Sequence, residues 1–126
     1  MILVDTNVWL DFLHQPSLAE GLDSLLKQDR ILGHPWVIAE IALGNLGSRR
    51  LPLLFDLWSL QRATVIEVPE LIKFVEERHL YGQGLSMTDV QLLASSLVED
   101  SQLWTHDKKL RQAADKIGCC YHPKSN

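Results

Sequence analysis

Four carboxylates, Asp5, Glu40, Asp89 and Asp107, carry the chemistry legible in this chain. Asp5 closes the apolar run Ile2-Leu3-Val4 and precedes a helical pattern, so it stands where a buried strand gives way to a helix. An Asp in that place either caps the helix or faces the ligand crevice outside the carboxyl ends of the strands. Asp89 ends Ser86-Met87-Thr88-Asp89, which reads equally as a capping box or as a ligand position. Asp107, after Trp104-Thr105-His106, invites the same two readings for the helix beginning at Lys108. Glu40 differs: it is the only Asp, Glu, Lys or Arg between Ile31 and Ser48, in a helix apolar nearly all round. A buried carboxylate there must be protonated, paired with an arginine such as Arg62 or Arg78, or bound to a metal.

If parallel strands bring all four to one rim, their charges repel unless a proton or a cation intervenes. Oxygen-only ligation without a His or Cys cluster suits a hard ion, Mg²⁺ or Mn²⁺. Phosphodiester hydrolysis is a natural use of such a centre.

The elements that must position these groups alternate along the chain. Ile2–Asp5 reads as the first strand, Asn7 to about His14 as a helix closed by Gln15-Pro16, and Ser17 as the cap of a second helix carrying Leu18, Leu22, Leu25 and Leu26. Ile31–His34 is the second strand, and Pro35 opens a helix to about Leu46. A helix over Arg50–Gln61 is expected to pack its leucines into the core. Thr64–Val68 is a β-branched third strand, followed by a helix over Glu70–Leu80, the loop Tyr81–Gly84 and a helix over Met87–Val98. Gln102–Thr105 is the fourth strand, Lys108–Lys116 the last helix and Cys119–Tyr121 a fifth strand. The sum is an α/β domain with a mostly parallel sheet of about five strands, covered on both faces.

Bulk properties agree. A chain of 126 residues with 46% hydrophobic and 22% charged residues fits one soluble domain, 1–126, and excludes disordered and membrane classes. No apolar run approaches the roughly 20 residues of a membrane span, and the first residues lack the pattern of a secretory leader, so a cytoplasmic protein is expected. Adjacent Cys119 and Cys120 are poorly placed for a mutual disulfide and suit a reducing compartment. Net charge of −4 argues against a wholly basic nucleic-acid surface, while Lys108, Lys109, Arg111 and Lys116, and Arg49-Arg50, leave room for local basic edges.

The carriers Val4-Asp5-Thr6-Asn7-Val8, Glu40, Ser86-Met87-Thr88-Asp89 leading into Val90-Gln91-Leu92-Leu93-Ala94, and Leu103-Trp104-Thr105-His106-Asp107-Lys108-Lys109-Leu110 together resemble the PIN domain, and within it the VapC toxins. The resemblance spans essentially the whole chain and implies a three-layer α/β/α sandwich. It implies a Mg²⁺- or Mn²⁺-dependent endoribonuclease, the toxin of a toxin–antitoxin pair, with RNA as substrate, a cognate antitoxin and a homodimer. Asp5 and Asp89 would be the firmest metal ligands, with Glu40 and Asp107 completing the quartet directly or through water. Thr6, Asn7 and Thr105 would orient carboxylates or water, or serve as ordinary cap and turn residues. Many relatives have Arg where His106 stands here.

Other functions are weaker. A PIN-like scaffold without nuclease activity would not need all four acidic positions, and a nuclease of RNA processing outside a toxin–antitoxin system would look alike. A phosphatase with Asp5 as nucleophile usually needs a second Asp where Asn7 stands. His14, His34, His79, His106 and His122 share no zinc-ligand spacing. Trp9, Trp36, Trp58 and Trp104 read as core or interface, and Tyr81 as a candidate for base stacking.

Overall fold

The computed structural model describes residues 1–123. Its centre is strand β1 (Ile2–Val4), every residue of which is buried. Successive strand side chains point to opposite faces, so both faces of the sheet are covered. β1 pairs in parallel with β2 (Ile31–Leu32) through Ile2↔Ile31 and Leu3↔Leu32, and with β3 (Gln102–Trp104) through Ile2↔Gln102 to Val4↔Trp104. The order is β2-β1-β3, so the carboxyl end of β1 opens onto the middle of the rim.

Helices α1 (Thr6–His14), α2 (Leu22–Lys27), α3 (Pro35–Ala42), α4 (Arg50–Ser59), α5 (Val68–Arg78), α6 (Met87–Val98) and α7 (Lys108–Ile117) complete the fold. Four begin on side-chain caps: Asp5 on α1, His34 on α3, Ser86 on α6 and Asp107 on α7. Three of these caps follow directly on a strand or its rim residues, so the sequence turns from sheet to helix on the side that holds the carboxylates. Leu3, Val8, Leu22, Leu32, Leu92, Leu93, Leu103 and Leu110 form the core around this sheet. Each such side chain, fully buried, contributes about 1.5–3 kcal/mol.

Among the described residues the sheet has three strands, where the sequence suggests about five. The expected strand at Thr64–Val68 is absent, because β2 gives way to α3 at Pro35 and offers no partner beyond Gly33. Pairing there stops at a single bridge, Gly33↔Arg62. The next residues bond instead to side chains of α6: the Thr64 N–H donates to Glu99 Oε1 at 3.0 Å and the Ile66 N–H to Gln91 Oε1 at 2.6 Å. In return Gln91 Nε2 donates to the Ile66 carbonyl at 3.0 Å and Ser95 Oγ to the Thr64 carbonyl at 2.8 Å. The expected fifth strand shrinks to one bridge, Leu103↔Cys120, held by Leu103 N–H to Cys119 O and Tyr121 N–H to Leu103 O.

Other boundaries move for local reasons. The helix expected at Ser17 is a 3-10 turn over Pro16–Ala19, and left-handed Gly21 (φ +95°) separates it from α2. α3 ends at Ala42, before Gly44. α4 buries only Leu57 fully and leaves Leu51 and Phe55 exposed, so it does not pack its leucines inward as a set. Among the described residues no helix is long and apolar enough to cross a membrane.

Candidate active site

At the rim, Asp5 is 6% exposed and held at both oxygens. Its Oδ1 accepts the Thr6 N–H at 2.7 Å, the capping contact, and its Oδ2 accepts the Thr105 hydroxyl at 2.7 Å. Thr105, just beyond β3, spends its one proton on Asp5 and accepts from Asn7 Nδ2 at 3.3 Å and from the Asp107 N–H at 3.0 Å. One donor and two acceptor sites are all a hydroxyl has, so Thr105 is saturated. Asn7 is fixed from its other end, because its Oδ1 accepts the His106 N–H at 3.0 Å.

Glu40 does not behave as the sequence suggested. α3 buries Val37, Ile38 and Ile41, and Glu40 lies on the opposite, exposed side. The helix is apolar in composition but only one face is covered, so no buried charge has to be compensated there. Glu40 nevertheless reaches the rim, where its Oε1 accepts the Thr6 hydroxyl at 3.0 Å. Asp89 is half-buried and occupied by its capping box: its Oδ2 accepts the Ser86 N–H at 2.9 Å while Ser86 Oγ accepts the Asp89 N–H at 3.1 Å. Exposed Asp107 caps α7 through the Leu110 N–H at 2.9 Å.

All four carboxylates line one open cleft of about 240 Å³, with Thr6, Asn7, Leu10, Ser86 and Thr88. Among the described residues no Lys, Arg or His lines it. Burial pushes the Asp5 carboxyl above the usual carboxylate range, and the Asp89 and Glu40 charges push it further, against the Thr105 and Thr6 hydrogen bonds. Four carboxylates gathered together, with Asp5 raised by burial and to a smaller degree by two neighbouring charges, fit a divalent cation, whose ligands here would all be oxygen. Among the described residues no three of these carboxylates bring ligand oxygens within 4.8 Å of one another.

The structure brings together the four carboxylates and the orienting residues proposed from sequence, with Asp5, Glu40, Asp89 and Asp107 on the cleft, Thr6 and Asn7 beside them and Thr105 behind Asp5, whereas Tyr81 does not line it. Sequence reasoning missed Ser86 and Thr88 as lining groups, although the capping-box spacing marks Ser86. Nor does the sequence give His106 a partner. His106 is partly buried, with Nδ1 at 2.6 Å from Asp11 Oδ2 on α1, a contact over 95 residues of chain that carries no local signal.

Comparisons with known proteins bear on the family and the fold. The PIN domain family profile matches residues 2–116. The chain is 40% identical over 119 residues to Ribonuclease VapC32 of two Mycobacterium tuberculosis strains, CDC 1551 / Oshkosh and H37Rv, covering 94% of each chain. Among solved structures it is similar to PAE2754 from Pyrobaculum aerophilum, with a TM-score of 0.61 at 20% identity over 89% of this chain and 83% of that one. FitAcB from Neisseria gonorrhoeae gives a TM-score of 0.62 at 22% identity over 91% and 94%. At those identities the two structures speak to the fold alone.

Proposed function

The chain belongs to the PIN domain family, and from that premise we propose that it is a divalent-metal-dependent endoribonuclease, the toxin of a toxin–antitoxin pair. The single observation that carries the reading is the cleft in which Asp5, Glu40, Asp89 and Asp107 meet, with no basic side chain among the described residues that line it. The 40% identity to a ribonuclease across nearly the whole chain supports RNA as the substrate. Two buried, free cysteines suit a single domain working in the cytoplasm.

Asp5 and Asp89 are the ligands assigned to Mg²⁺ or Mn²⁺, with Glu40 and Asp107 binding directly or through water. When bound, such an ion acidifies a water and offsets charge that builds up on phosphate oxygens. The chain supplies positioning. Thr105 and the Thr6 N–H fix both Asp5 oxygens, Asn7 fixes Thr105, and the Thr6 hydroxyl turns Glu40 toward the cleft. Capping holds Asp89 and Asp107 at helix starts, where a rotation of either side chain would cost a hydrogen bond. Lys108 and Lys109, in the first turn of α7 next to Asp107, are placed to attract a phosphate backbone.

Exposed Leu51 (76%) and Phe55 (74%) on α4 support a protein partner, an antitoxin or a second copy of the chain. The test is cleavage of total RNA by purified protein, with cut sites mapped, in Mg²⁺ and in chelator. Metal-dependent cuts at discrete sites are expected. Intact RNA at all metal concentrations would overturn the reading in favour of a catalytically silent scaffold.

A further inference from the structure

Away from the carboxylate rim, the C-terminal end of the fold brings together three side chains of a different chemistry. Asp115 lies in the last turn of α7, and Gly118 (φ +89°) then reverses the chain in a left-handed cap, its N–H returning to Ala114 and Asp115 carbonyls. The following segment runs beside β3, pinned by the Leu103↔Cys120 bridge. In an extended segment residues two apart project to the same side. Cys120 and His122 accordingly turn the same way, back toward Asp115. His122 Nε2 lies 2.7 Å from Asp115 Oδ1, and ligand atoms of Asp115, Cys120 and His122 all fall within 4.8 Å of one another.

We propose that Asp115, Cys120 and His122 form a binding site for a zinc-class transition-metal ion, separate from the carboxylate cleft. The donor set is one thiolate, one imidazole and one carboxylate, each a zinc ligand, and three protein ligands leave a fourth position for water. The charges match: a Cys120 thiolate and the Asp115 carboxylate neutralise a divalent ion with neutral His122. A thiolate also sets this site apart from the oxygen-only rim, since soft sulfur selects zinc-class ions over Mg²⁺. Two ligands are exposed and Cys120 is 7% exposed, so the ion enters from solvent while the sulfur sits on the protein side. Binding would release the Cys120 thiol proton to solvent, since the thiolate is the ligand form. The site would tie the segment after α7 to the helix and so hold the bridge on the outer edge of β3. His122 has no regular ligand spacing to the other histidines, and the site becomes visible only when the Gly118 reversal sets two extended residues against a helix end.

Cobalt(II) is the probe, because a thiolate ligand gives it an intense near-ultraviolet charge-transfer absorption that oxygen ligands do not. Metal-stripped full-length protein is titrated with Co²⁺ and then with Zn²⁺ in the presence of excess Mg²⁺. Saturation at one equivalent and bleaching by Zn²⁺ are expected, unchanged in Cys119→Ser and in Asp5→Asn. The band should vanish in Cys120→Ser and require at least about tenfold more Co²⁺ in His122→Ala. His122 is exposed, so that variant keeps its fold, which circular dichroism verifies, even if Cys120→Ser does not. No thiolate band in the native protein would reduce the cluster to an Asp–His hydrogen bond beside a buried thiol and overturn the proposal. So would a band unaffected by His122→Ala. Neither result depends on RNA cleavage, so failure here leaves the nuclease reading untouched.

Discussion

The Thr105 hydroxyl donates to Asp5 Oδ2 at 2.7 Å across 100 residues of chain. It joins the residue just past β3 to the one just past β1 and fixes the most buried carboxylate of the cleft. Thr105→Val removes the proton donor and strands both Asn7 Nδ2 and the Asp107 N–H. RNA cleavage should fall by roughly 10–100-fold at fixed Mg²⁺, the usual cost of losing a group that orients a metal ligand. Thr105→Ser keeps the hydroxyl and should retain most activity. Equal rates for the Val variant and the native protein, measured on one labelled RNA, would remove Thr105 from the site.

Glu40 is exposed and contributes charge to the cleft, not packing. Glu40→Gln preserves an oxygen for the Thr6 hydroxyl but removes one negative charge facing Asp5. Unfolding free energy should stay within about 0.5 kcal/mol of the native value. The Mg²⁺ concentration for half-maximal cleavage should rise. A metal titration that superimposes on the native curve would show that Glu40 takes no part.

His34 makes the fold acid-sensitive. It is fully buried, its Nδ1 accepts the Trp36 N–H that caps α3, and its Nε2 contacts Ser95 at 3.0 Å. Burial lowers its pKa from 6.5 to about 4. The folded state therefore resists a proton that the unfolded chain accepts, so this residue's contribution to stability falls as pH drops below 6.5 and levels off below about 4. The full effect is on the order of 3 kcal/mol. His34→Asn keeps a capping oxygen without a titrating group. Its urea-unfolding free energy should be lower at neutral pH yet vary less between pH 6.5 and 4. Parallel pH profiles would contradict the assignment.

Gln91 stands in for a missing strand. Its side chain bonds both the N–H and the carbonyl of Ile66. Gln91→Leu leaves those two backbone groups unpaired and should cost about 1–3 kcal/mol in denaturant unfolding. Amide exchange at Ile66 should accelerate relative to β1. Unchanged protection at Ile66 would mean that its backbone is held by something other than α6.

Much of this was legible in the sequence, and the exceptions share a cause. Asp5, Asp89 and Asp107 stand at element boundaries that the apolar periodicity marks locally, and the parallel β1–β3 pairing then carries Asp5 and Asp107 to one rim. Glu40 was singled out from the apolar composition of α3, yet that helix covers only one face, and composition does not say which. Thr64–Val68 has the β-branched content of a strand. Its partners are instead the side chains of Gln91, Ser95 and Glu99, some 25 to 35 residues away in sequence. A still longer separation, 95 residues, hid the His106–Asp11 contact, and Cys120 and His122, close to Asp115 in sequence, face it only because Gly118 reverses the chain. Local chemistry was readable; side-chain pairing across the fold was not.

The central claim is that the carboxylate cleft cuts RNA with a bound divalent ion. Its most direct test measures cleavage of a defined RNA by native protein, Asp5→Asn and Asp89→Asn, each in Mg²⁺ and after chelation, with circular dichroism confirming the fold. The account predicts cleavage by the native protein only when Mg²⁺ or Mn²⁺ is present, and a loss of at least about 100-fold in both folded variants. Full cleavage by either variant, or by the native protein in chelator, would contradict it.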